Sequence, residues 1–191
     1  MITNTSTCPG CGVILPVTDY PASNPYGVTS PECRQKFDEI LVKEQVLFHY
    51  PDVHRLVIDA YLTQHPRHKA LQDKQQISKR LQDASVQSIA IHLIALYCAL
   101  ELKLPLASIA SVMNTILTNM NKIGATFPEL EPPHDLGKIR VTDVHDKVFA
   151  QEIVTLPEYE EITYAWARSS WAVWQAHHDT VRKWHKEYAQ R

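Results

Sequence analysis

Three cysteines near one end constrain this chain more than any other feature. Cys8-Pro9-Gly10-Cys11-Gly12 sets two thiols two residues apart, and Cys33 follows. That spacing lets both sulfurs point into one tetrahedral site. The glycines permit a tight turn and let backbone N–H groups approach the sulfurs. A redox pair is the alternative, but it expects a strand before the motif and a helix opening at it. Here a mostly polar run, Met1 to Thr7, precedes the motif, and Val13-Ile14-Leu15-Pro16 follows, which is not a helix start. The first residues have neither a basic n-region nor an apolar h-region, so a cytoplasmic protein is expected. In that compartment thiols serve as metal ligands or buried groups rather than disulfides.

Cys33 is the natural third ligand. Ser30 reads as a helix cap, Pro31 as the first helical position and Glu32 as a first-turn acid. The dipole of such a helix favours a thiolate at Cys33. A knuckle, a loop and a cysteine on a first helical turn resemble a treble-clef zinc site. The usual fourth ligand there stands three residues on, where this chain has Lys36, which cannot ligate. Helical patterning over Glu32–His49, a break at Tyr50-Pro51-Asp52, and a second helix over Val53–His65 stopped by Pro66 predict an antiparallel pair. That fold-back returns His65 toward Cys33 and leaves His54 at the far end. His65 is the expected fourth ligand, with His68 or a water as alternatives. Thiolates with imidazole favour zinc, and iron also fits a sulfur-rich site. Cys98 lies in an apolar helix and reads as a core residue.

With 191 residues, 45% of them hydrophobic, the chain suits one compact unit with a real core. The expected organisation is a zinc-knuckle segment, 1–33, packed on a helical domain, 34–191. Further helices are expected over Asp83–Lys103, Pro105–Lys122, Thr142–Ala150 and Pro157–Tyr188. Lys69–Arg80 reads as a polar surface loop, 127–137 as a Pro-rich connector, and Lys138–Val141 as a short strand at most. The fold class is mostly α: a helical bundle with an N-terminal, treble-clef-like zinc knuckle. No apolar run approaches the ~20 residues of a membrane span.

The histidines pose a second question. Tyr159, Trp166, Ser170, Trp174, His177, Val181, Trp184 and Tyr188 recur at helical spacing and share one face, read as a core seam. His177 inside that seam needs hydrogen-bond partners, and His178 sits one step round. His92 has the small neighbours Ser85, Ser88, Ala95 and Ala99. His54 and His65 share a helix face but stand about 16 Å apart along it, too far for one metal. His54, Asp59, His92, His177 and His178 are therefore candidates for a separate polar cluster with metal or acid–base chemistry. The alternative is that each histidine bonds a carbonyl or carboxylate, or faces solvent. His49, His134, His145 and His185 read as surface or loop residues.

Cys8-Pro-Gly-Cys11-Gly12, Ser30-Pro31-Glu32-Cys33, His54-Arg55-Leu56, Asp59-Ala60-Tyr61 and Gln64-His65-Pro66 together resemble a family of small, functionally uncharacterised bacterial proteins. Gln87 through Leu93 and Trp166-Ala167-Arg168-Ser169 through Trp171, Trp174, His177-His178 and Trp184 match further blocks of it. The resemblance implies that Cys8, Cys11, Cys33, His54, His65, His92, His177 and His178 belong to the family pattern. It also implies a loop insertion in the Gln-rich stretch before Ser85. It carries no established activity.

The expectation is a structural Cys3His zinc in a protein that binds an unknown protein or small-molecule partner. The runner-up is a metal-dependent hydrolase using the histidine cluster in the bundle core. Nucleic acid is not expected: 19 basic residues stand against 21 acidic ones, and Thr3 to Tyr26 holds no Lys or Arg for phosphate. No phosphate loop, dinucleotide fingerprint, nucleophile elbow or H-E-x-x-H motif is present.

Overall fold

The computed structural model describes residues 4–21, 27–67, 78–150 and 155–190. A two-stranded antiparallel hairpin comes first, β1 (Thr5–Thr7) with β2 (Ile14–Pro16), in the register Thr5↔Pro16, Ser6↔Leu15 and Thr7↔Ile14. The helices are α1 (Pro31–Phe48), α2 (His54–Thr63), α3 (Lys79–Leu100), α4 (Leu106–Lys122), α5 (Val141–Ala150), α6 (Leu156–Val173) and α7 (His178–Ala189). A one-turn 3-10 segment, Gln175–His177, separates α6 from α7. The molecule is a helical bundle with a small hairpin at one edge.

The caps follow from the sequence. Ser30 accepts from the Cys33 N–H, so α1 begins where Ser-Pro-Glu predicts. His49 closes α1 in the left-handed region at φ 53°, and its N–H returns to the Gln45 carbonyl. Thr155 and Glu158 form a reciprocal capping box at the start of α6. Helix α2 packs against α3 on one side and α6 on the other, α5 lies on α1, and α4 packs against α7. Leu93, Ile94, Leu96 and Cys98 of α3 are fully buried in this arrangement, as are Leu56 and Val57 of α2.

Helix α3 starts at Lys79, where Ser78 caps the Leu81 N–H, so Lys79 and Arg80 are helical rather than loop. The rest of the expected loop lies outside the described residues. Among those residues α3 alone is long and apolar enough to cross a membrane by length and composition, and 56% of its apolar window is buried inside the bundle. Residues 138–140 form no strand. Their backbone is held by a side chain instead, with the Lys138 and Ile139 N–H groups donating to Ser169 Oγ at 2.8 and 3.1 Å.

The expected single C-terminal helix is broken. Trp174 leaves helical geometry at φ −86°, ψ 15°, and the chain takes one 3-10 turn before α7. No Pro or Gly marks the break. Tertiary bonds hold it instead: Trp174 Nε1 donates to the Thr63 carbonyl, and His178 Nε2 bonds the Trp171 carbonyl at the end of α6. The tryptophans still fill the core as the periodicity predicts, with Trp166 and Trp174 fully buried.

Candidate metal centre

The hairpin turn carries the first two thiols. The Cys8 N–H donates to the Val13 carbonyl at 2.8 Å and the Gly12 N–H to the Cys8 carbonyl at 2.9 Å. Gly12 sits at φ +75°, where a side chain is strained. This fold-back brings Cys8 and Cys11 to one side, and both are buried. Cys33 arrives from the first turn of α1. Its segment is pinned to the hairpin by Glu32, whose carboxylate accepts from the Ser6 hydroxyl at 2.6 Å and the Thr18 N–H at 3.1 Å. Those donors hold the Glu32 carboxyl down near 2.

His65 comes from just past the end of α2. Three contacts register the α1–α2 pair: Glu44 with His54, Phe37 stacked on Tyr61, and Cys33 with His65. Each step of about seven and then about four residues down α1 matches the same step up α2, which is two helical faces meeting antiparallel. Nδ1–H of His65 donates to the Tyr61 carbonyl at 2.6 Å, which fixes the tautomer and turns Nε2 toward the sulfurs. The Val28 N–H in turn donates to the His65 carbonyl at 3.0 Å. Gly10 leaves no room for anything larger: a Cβ there would stand 2.2 Å from the Val28 carbonyl oxygen and 2.5 Å from His65 Cδ2.

The sulfurs of Cys8, Cys11 and Cys33 and a ring nitrogen of His65 all lie within 4.8 Å of one another. They are the sole group of three or more such ligands among the described residues. A tetrahedral zinc with Zn–S near 2.3 Å and Zn–N near 2.0 Å separates two sulfurs by about 3.8 Å and a sulfur from a nitrogen by about 3.5 Å. Cys11 and Cys33 are 3.8 Å apart, and Cys33 stands 3.2 Å from His65 Nε2. The sulfur pair is far beyond the ~2.05 Å of a disulfide, and all four cysteines are free thiols. The donor set therefore fits a tetrahedral thiolate–imidazole metal.

Cys8, Cys33 and His65 are each perturbed by their neighbours. Cys33 is pushed up by Cys11 and Cys8 and by burial, while Cys8 is pulled down by hydrogen bonds from Cys11 and Cys33 against burial. Burial opposes a charge on His65, but the Cys11 and Cys8 sulfurs outweigh it and raise the ring to about 10. A divalent cation held by these residues would take the place of the protons on the sulfurs. Around the sulfurs stand two hydroxyls, Thr29 Oγ1 at 3.9 Å from Cys8 and Tyr61 OH at 3.9 Å from Cys33, themselves 2.9 Å apart. Burial and Cys33 hold the Tyr61 phenol protonated.

Gln64, beside His65, is wholly buried and fully bonded. Its Nε2 donates to the Leu136 and Ile139 carbonyls at 2.6 and 2.7 Å, and its Oε1 accepts from Trp166 Nε1 at 2.8 Å. The 136–139 connector and α6 thus grip the end of α2 that delivers His65. The close approach of Gly10 to Val28 and His65, and the bonds of Thr29 and Gln64, were not legible in the motif, because they depend on chain segments far apart in sequence.

The other expected site residues are dispersed. His54 Nδ1 bonds the buried Glu44 carboxylate at 2.5 Å, and Glu44 also accepts from Tyr159 OH at 3.1 Å. His92 Nδ1 bonds Asp59 Oδ1 at 2.6 Å. His177 leaves the core seam and bonds the Glu131 carbonyl, because the break at Trp174 turns it outward. His178 lies flat on Trp171, with ring centroids 3.8 Å apart. Only Asp59 and His92 meet directly. His145, expected at the surface, is buried at 6% exposure, bonded to Glu39 at 2.7 Å and stacked on Phe149. The His145–Phe149 spacing of four on one helix was the signal for it. His68 lies outside the described residues.

No curated protein and no solved structure matches this chain. A family model does: residues 6–175 match the one described as "Family of unknown function (DUF5946)". The match takes in Cys8, Cys11, Cys33 and His65, the Gln64 brace and the Asp59–His92 pair, and the chain belongs to that family.

Proposed function

We propose that Cys8, Cys11, Cys33 and His65 hold one zinc ion whose role is structural, in a cytoplasmic protein that binds a protein or small-molecule partner. The observation that carries this is closure. The four residues are between 0% and 3% exposed, which leaves no open position for a substrate or an activated water. When bound, the ion supplies a cross-link among three pieces of chain: the hairpin, the start of α1 and the end of α2. Its binding energy is then folding energy. A hydrolase built on the histidines has less support, because the five candidates do not converge and three of them are engaged by Glu44 or by backbone carbonyls.

The test is elemental analysis of protein purified without added metal, alongside Cys8→Ser and His65→Ala. One zinc per chain, lost in both variants together with thermal stability, is the expected result. Metal retained at full occupancy in His65→Ala, or none in the wild type, overturns the assignment.

A further inference from the structure

A cleft borders α2 about a quarter-turn round from the face that carries Tyr61 and His65. It lies between α2, α3 and α4, holds about 240 Å³ and is walled by Ile58, Ile109, Met113 and Leu117. Two polar groups line it from inside, Asp59 and His92, and two more stand exposed at its mouth, Arg55 and Asn114. Apolar pockets with a few convergent polar groups are the usual form of small-ligand sites. This one is a little smaller than the ~300–1,000 Å³ typical of drug-sized ligands, so its occupant is smaller too.

The chemistry of the dyad narrows the ligand. Asp59 is 8% exposed, and its Oδ1 takes the His92 Nδ1 hydrogen bond at 2.6 Å. That bond fixes the ring's orientation and, in the neutral ring, leaves Nε2 as the acceptor. Among the described residues no hydrogen-bond partner is present for His92 Nε2. The His92 side chain is 18% exposed where it lines the cleft, so a ligand that displaces water from Nε2 has to return a donor to it. Asp59 already supplies one negative charge beside the ring, which makes a neutral O–H a better match than an anion.

We infer that this cleft binds a small, uncharged ligand with an apolar body and one hydroxyl group, the O–H donating to His92 Nε2 while Asp59 holds the ring. Asp59 and His92 are positioning and binding groups here, and the zinc takes no part. The inference rests on the ligand-binding half of the function proposed above and names its site.

The test uses 4-methylphenol as the probe, with toluene and 4-methylbenzoate as comparisons, on the full zinc-loaded chain. Binding is read by NMR titration of the His92 ring nitrogens and the Met113 methyl. His92→Asn retains a side-chain donor for Asp59 but lacks Nε2. Ala110→Trp fills the cleft from α4 and leaves Asp59 and His92 in the sequence. The expected result is a saturable shift at His92 Nε2 with 4-methylphenol. Its affinity is expected about tenfold above toluene and above 4-methylbenzoate, falling about tenfold in His92→Asn. Ala110→Trp is expected to abolish binding. Equal affinity for toluene, preference for the benzoate, unchanged binding in His92→Asn or no binding in the wild type overturns the inference. Zinc content and melting temperature measured on the same samples report separately on the metal site, so the two readings fail independently.

Discussion

Replacing Gly10 with alanine tests how tightly the turn is fitted to His65. The added methyl would stand 2.2 Å from the Val28 carbonyl oxygen, 2.5 Å from His65 Cδ2 and 3.1 Å from His65 Cα. Two of those atoms are backbone, so no flexible side-chain tip can swing aside. Overpacking of this kind costs about 1–3 kcal/mol. Movement of 28 away from 65 also strains the Val28 N–H bond to the His65 carbonyl, a contribution of about 1 kcal/mol. Together these give about 2–4 kcal/mol, or a fall in Tm of roughly 4–16 °C for a chain of this size. Because the clash falls on His65, the proposed fourth ligand, zinc affinity measured by competition with a chromophoric chelator is expected to drop about 10–100-fold, as when a ligand's supporting partner is lost. Gly12→Ala is the control. It has open space around its Cβ position but φ +75°, so it costs about 1–2 kcal/mol of backbone strain without pushing on a ligand. Wild-type zinc affinity in Gly10→Ala, or an equal affinity loss in both variants, refutes the fit.

Other expectations follow from groups near and far from the sulfurs. Gln64→Leu orphans the Leu136 and Ile139 carbonyls and the Trp166 indole N–H. It is expected to cost about 3 kcal/mol or more in chemical denaturation. Burial raises the Glu44 carboxyl above its ordinary range, against the pull of His54 and Tyr159. A carboxyl raised on folding contributes stability at low pH that is lost as pH climbs through its folded pKa. The Tm of Glu44→Gln relative to wild type is therefore expected to rise from pH 4 to pH 7; a difference that stays flat or falls contradicts this. Thiol titration separates the cysteines. A zinc chelator is expected to expose Cys8, Cys11 and Cys33 to an aromatic disulfide reagent. Cys98, pushed up to about 12 by burial and fully enclosed, should react only on unfolding.

The local signals were strong wherever a few neighbouring residues decide the outcome. Ser30-Pro31 sets the start of α1, Pro51 and Pro66 bracket α2, and the short link between the two helices folds them back so that His65 meets Cys33. The lengths agree as well: the step of eleven residues from His54 to His65 keeps the first at Glu44 and brings the second to the sulfurs. Long-range bonds were not legible. Nothing local interrupts the last helix at Trp174. The indole bond to Thr63 does so from 111 residues away, and it removes His177 from the core face that periodicity assigned to it. Likewise Glu44 is an ordinary-looking acid on α1 until Tyr159 and His54 close over it. The separation of the histidines into independent pairs depends on how three helices rotate against one another, which a hydrophobic stripe specifies only coarsely.

The most direct measurement is X-ray absorption at the zinc edge on protein purified without added metal. Three sulfurs at about 2.3 Å and one nitrogen at about 2.0–2.1 Å are predicted, with imidazole scattering beyond the first shell that disappears in His65→Ala. A first shell dominated by oxygen, or four sulfurs, contradicts a Cys8–Cys11–Cys33–His65 centre.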